Sequence, residues 1–188
     1  MEKVGAALMK YPESYRTEVF GMFQKALPIE KSVEVPAPTL CAVARKYGED
    51  AAKFWLRYQI ASTFAVIGIY DQVDAVQVRA VAEDILNDGI YGQFTLPEFL
   101  SFLSRFRTGR YGKIYSTNRP NMQEFLMALQ PFWKDLQAER GRARLAEEQK
   151  ERERRLGWDL SKEEYEEMRR AIYRAYLEMK ANGKLKNI

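Results

Sequence analysis

Four short patterns announce where helices begin, and they constrain this chain more than any other feature. Thr95-x-x-Glu98 and Ser161-x-x-Glu164 are capping boxes. In such a box the hydroxyl accepts from the third residue's amide and the Glu carboxylate accepts from the first residue's amide. Asp74-x-x-Gln77 and Asn121-x-x-Glu124 are looser variants. Each precedes apolar residues at three- and four-residue spacing, the period of a helix face. The stripe Tyr165, Met168, Ile172, Ala175 and Met179 is the clearest in the C-terminal part.

The remaining chain fits the same pattern. Residues 1 to 27 read as one or two short helices carrying Leu8, Val19, Phe20, Phe23 and Leu27. Residues 28 to 38 hold Pro28, Pro36 and Pro38 and read as a linker, since proline breaks a helix interior. A short helix starts near Thr39 and ends at Tyr47-Gly48. A longer one from about Asp50 to Ile67 has Phe54, Trp55, Tyr58, Ala61, Phe64 and Ala65 as its apolar positions. Gly109 suits the left-handed position after the helix that Thr95 starts. Pro131 is expected to kink or break the helix after Pro120. Residues 138 to 156 are dense in charge and read as an exposed helix. No long alternating run of β-branched residues predicts a sheet. The expected fold is all-α: an irregular helical bundle with an extended charged helix and a C-terminal amphipathic helix. The expected divisions are 1–38, 39–136 and 137–188.

Composition removes whole classes of chemistry. The chain has 188 residues, no histidine and one cysteine, Cys41. A Ser/His/Asp or Cys/His nucleophilic site needs a histidine, and a Cys/His zinc site needs several ligands of those types. No intramolecular disulfide can form, which suits a reducing compartment. No catalytic residue, metal site or cofactor is therefore expected, although catalysis by carboxylates alone stays open. The most apolar stretch, Ile60 to Ile69, is too short for a membrane span. The expectation is a cytoplasmic, non-enzymatic protein with no membrane partner.

Net charge is only +4, so the distribution of charge matters more than its sum. Between Glu98 and Glu124 there is no acidic residue, while Arg105, Arg107, Arg110, Lys113 and Arg119 alternate with Tyr111, Tyr115 and two glycines. Arginine pairs with phosphate, tyrosine stacks on bases, and glycine lets a backbone approach closely. These seven side chains are the candidate nucleic-acid or anion-binding set. The structural alternative stands beside it: Arg105 and Arg107 close a helix, where cations offset its dipole, and the tyrosines pack under the loop. The segment 39–56 has the outline of a helix-turn-helix, but Phe54, Trp55, Leu56 and Tyr58 suit a core better than base edges. Tyr165, Met168, Ile172 and Met179 are the candidate partner helix, for a homo-oligomer or another protein.

The stretch from Leu40 to Phe132 resembles a family of small helical proteins from gut-bacterial phages and integrative mobile elements. The likeness rests on the Tyr47-Gly48 unit, the helix with Gln77 and Ala82, and Thr95 to Tyr115 ending in Gly109-Arg-Tyr-Gly-Lys-Ile-Tyr115. This chain has Ile114 and Ser116 where the family commonly has Phe and Gly. The resemblance implies a mobile-element setting but no reaction. The function it favours is an accessory role in DNA replication or processing, with DNA or a replication protein bound through the basic Tyr/Gly loop. The alternative is a protein–protein adaptor or phage assembly protein acting through the C-terminal helices.

Overall fold

Two threonines organise the centre of the molecule. In the computed structural model, which describes residues 2–23, 25–69, 73–112, 122–155 and 161–181, both are helix N-caps. The Thr39 hydroxyl accepts from the Ala42 amide at 3.1 Å and starts α4 (Leu40–Tyr47). Thr95 forms the complete capping box with Glu98 and starts α7 (Leu96–Arg107). The two caps are joined to each other. The Leu40 amide donates to the Phe94 carbonyl at 2.9 Å, and the Leu96 amide donates to the Pro38 carbonyl at 3.1 Å. This isolated antiparallel bridge fixes where both helices set out; the described residues form no β-strand.

α4 passes directly into α5 (Glu49–Ile67) through Gly48, whose φ of 90° and ψ of 153° are open essentially to glycine alone. Ala51, Ala52, Trp55, Leu56, Ile60, Thr63 and Phe64 of α5 are buried. That face is rotated from the expected one: Tyr58 and Ala65 are exposed. The N-terminal segment packs against this helix. Its α1 (Glu2–Leu8) and α2 (Glu13–Tyr15), with a π-turn at Arg16–Gly21, place Tyr11 and Phe20 beside Phe54 at ring centroids of 5.5 and 5.7 Å. Phe20 also reaches Tyr58, at 5.4 Å. Tyr15 is wholly buried and donates its hydroxyl to the Ala51 carbonyl at 2.6 Å. Burial pushes its phenol well above the ordinary range. The helix-turn-helix outline thus encloses a core helix.

The segment expected as a linker contains α3 (Ile29–Ser32), started by Pro28, and buries Ile29 and Ser32 beside α7. Residues 1–38 therefore belong to the same unit as the helices after them. The chain divides instead into Met1–Ala143 and Arg144–Ile188. The later boundary has a physical cause, since Leu136 is still buried and Arg140 is still anchored.

α6 (Ala75–Asn87) packs on α5. Its start is a single cap, with the Asp74 carboxylate accepting from the Val76 amide at 2.8 Å, rather than a reciprocal box with Gln77. A tight turn at Tyr91–Gln93 leads to Phe94. A Cβ on Gly92 would lie 2.6 Å from the Cys41 sulfur and 3.0 Å from the Leu86 carbonyl oxygen, so no side chain fits there without movement. α8 (Met122–Arg155) continues through Pro131, where a kink or break was expected. Pro131 is exposed, while Phe125, Ala128, Leu129 and Phe132 on either side are buried and hold both halves to the core. Asn121, the expected cap, lies outside the described residues. The core is rich in phenylalanine: Phe102 lies 5.2 Å from Phe125 and 5.4 Å from Phe132, and Phe106 lies 4.8 Å from Phe125. Edge-to-face contacts of this kind add to the stabilisation from burial itself.

In the second unit α8 runs on as an exposed, charged helix to Arg155, as its composition predicts. The Ser161 box is complete: the Glu164 carboxylate accepts from the Ser161 amide at 2.7 Å, and the Ser161 hydroxyl accepts from the Glu164 amide at 3.2 Å. It opens α9 (Lys162–Ala181).

Candidate interaction surfaces

The basic loop begins where α7 ends. Gly109 has a φ of 74°, the left-handed conformation expected after the helix. Arg105 is turned inward, its side chain only 19% exposed. Its guanidinium donates to the Tyr111 hydroxyl at 3.1 Å and lies 3.3 Å from the Asp135 carboxylate and 3.8 Å from Glu30. Tyr111 donates its own hydroxyl to Asp135 at 2.8 Å and sets its ring edge-on to Phe132. Burial raises the Tyr111 pKa, and the nearby Arg105 charge partly offsets that rise. Arg110 lies 3.7 Å from the same Asp135 oxygen. Asp135, supplied by α8, thus gathers Arg105, Arg110 and Tyr111 onto one carboxylate. Arg105 and Tyr111 serve the interior, while Arg107 and Arg110 are exposed to solvent. Lys113, Tyr115 and Arg119 lie outside the described residues. The acid-free stretch of sequence is therefore not an acid-free environment.

A second ion pair, built on the buried Glu98 carboxylate, holds the middle of α8 to the start of α7. Arg140 donates to both oxygens of Glu98, at 2.9 and 2.6 Å, and its guanidinium lies over the Trp133 ring at 5.4 Å. Glu98 also accepts from the Thr95 amide at 2.8 Å. Glu98 closes the turn from α6 into α7, where a calcium loop would place its bidentate carboxylate. Arg140 occupies that carboxylate, and Asn87, Gly89 and Tyr91 stand where a calcium loop carries its first ligands. No cluster of three or more metal-ligating side chains occurs among the described residues, nor any helix long and apolar enough to cross a membrane.

α9 presents the other candidate set. Tyr165, Ile172 and Met179 are exposed, Ile172 to 61%, and Met168 is partly exposed. Three further large side chains extend the stripe: Tyr173, Tyr176 and Leu177 are all exposed, and the two tyrosine rings stack at 6.5 Å. Tyr176 lies on the same row, four residues after Ile172 and three before Met179, while Tyr173 and Leu177 lie beside it. Tyr176 and Leu177 follow Tyr173 by three and four residues, and that spacing was the available signal. Charge along α9 is also uneven. Glu163, Glu164, Glu166 and Glu167 crowd its first two turns after Lys162, Arg169 and Arg170 lie near its middle, and Arg174, Glu178 and Lys180 follow. Comparison with protein-family models, curated proteins and solved structures finds no match.

Proposed function

We propose that this is a non-enzymatic assembly or adaptor protein whose α9 docks on a second copy of itself. The exposure of Tyr165, Ile172, Tyr173, Tyr176, Leu177 and Met179 along one helix carries the reading. Contiguous apolar surface of that kind marks an interaction site in a soluble protein. An antiparallel pair centred on Ile172 sets Glu164 of one helix opposite Lys180 of the other. Tyr165 of one copy would lie near Met179 of the other, with Ile172 at the centre. Sedimentation of the full chain over a range of concentrations tests this. A dimer that dissociates on Ile172→Glu supports it, and a monomer at every concentration sinks it.

A second reading rests on Arg107 and Arg110, whose guanidinium groups reach solvent at the start of the basic loop. With Lys113, Tyr115 and Arg119 they would bind nucleic acid or an acidic partner, in an accessory role in replication or DNA processing that suits the mobile-element resemblance. Its test is binding to single- and double-stranded DNA across salt concentrations. No binding at low salt, or binding unchanged when Arg107, Arg110 and Lys113 become Ala, rejects it.

A further inference from the structure

A cavity of about 550 Å³ opens between the N-terminal helices, α5 and α7. That is the size of a small-molecule site. Its wall combines apolar side chains, among them Leu8, Phe20 and Leu103, with the hydroxyls of Tyr58 and Ser62 and two arginines, Arg16 and Arg107. Among the described residues that line it there is no carboxylate.

Neither arginine has a counter-ion among the described residues. Arg16 is part-buried; its Nε is shielded from solvent and has no hydrogen-bond partner. Its Nη1 contacts only the Met9 sulfur, at 3.0 Å. A thioether is a weak acceptor and carries no charge. Arg107, unlike its neighbours Arg105 and Arg110, makes no ion pair among the described residues. A guanidinium taken out of water without an anion is costly, and an unsatisfied buried donor in a folded protein calls for a partner. Arg16 is such a group, and Arg107, though open to solvent, adds a second unpaired guanidinium on the wall of the same cavity.

We infer that this cavity binds a small amphiphilic anion, with a phosphate or carboxylate head group held by Arg16 and Arg107 and an apolar body laid against Phe20 and Leu103. Planar guanidinium groups match both head groups, and the flanking hydroxyls can donate to the remaining oxygens. The site is independent of the α9 surface and needs no second copy.

Calorimetric titration of the full chain with octyl phosphate, octanoate and octan-1-ol, all below their aggregation concentrations, tests it. At least one anion is expected to bind tenfold or more tightly than the alcohol, and the tighter of the two identifies the head group. Arg107→Gln, at an exposed position, should weaken the anion at least fivefold and leave octanol unchanged. Ser62→Phe should block all three by filling the cavity. Arg16→Gln should act as Arg107→Gln does, with a thermal melt confirming that the variant is folded. Equal affinity for alcohol and anions, no binding of either anion, or an Arg107→Gln protein that binds as tightly as the parent would each overturn the inference.

Discussion

α8 and α9 carry the same apolar rhythm and use it in opposite ways. In α8 Met122, Phe125, Leu129, Phe132 and Leu136 follow one another at three- and four-residue spacing, and all are buried. In α9 Tyr165, Met168, Ile172, Ala175 and Met179 repeat that spacing, and its large side chains face solvent. Periodicity specifies a face; it does not specify what covers it. For α8 the cover comes from within the chain, since Phe64, Phe102 and Phe106 converge on Phe125. For α9 the proposed cover is another molecule. One unit buries its aromatic side chains in its own core and the other leaves them exposed.

Substitutions in the two rows should separate these uses by the size of their effect on folding. Phe102→Ala removes a ring that touches four other phenylalanines, Phe99, Phe106, Phe125 and Phe132, and should cost about 3–5 kcal/mol in urea unfolding. Arg140→Ala leaves the buried Glu98 carboxylate without its cation and should cost roughly 3 kcal/mol. A loss below about 1 kcal/mol would mean that the Thr95 cap alone satisfies Glu98. Gly92→Ala forces a methyl group against Cys41 and the Leu86 carbonyl and should cost about 1–3 kcal/mol. Ile172→Ala is the opposite extreme. At a dilution that keeps the chain monomeric it should change unfolding by no more than about 0.5 kcal/mol, as exposed positions do. A cost comparable to Phe102→Ala would place Ile172 in a core and erase the contrast.

Local chemistry made much of this fold legible in the sequence. The boxes at Thr95 and Ser161, the cap at Thr39 and the left-handed Gly109 all sit where their residue types predict, because each depends on neighbours a few positions away. Long-range features were less accessible. Pro131 reads as a break, yet burial on both sides keeps α8 helical. Three prolines read as a linker, yet Ile29 reaches the core between them. The basic loop looked unopposed because Asp135 lies on another helix, well beyond the acid-free stretch. The Arg16 cavity left no local trace, for Arg16 and Arg107 lie far apart in the sequence. In each case the deciding contact joins residues that sequence spacing keeps apart.

The proposed pairing of α9 can be tested most directly by cross-linking between copies, with the native Cys41 first changed to Ala. Tyr165→Cys and Met179→Cys chains are oxidised separately and then as a mixture. Antiparallel docking predicts a disulfide-linked dimer in the mixture, joining position 165 of one copy to 179 of the other, and little linkage in either variant alone. Linkage within each variant alone would indicate parallel helices, and no linkage in the mixture would contradict α9 self-docking outright.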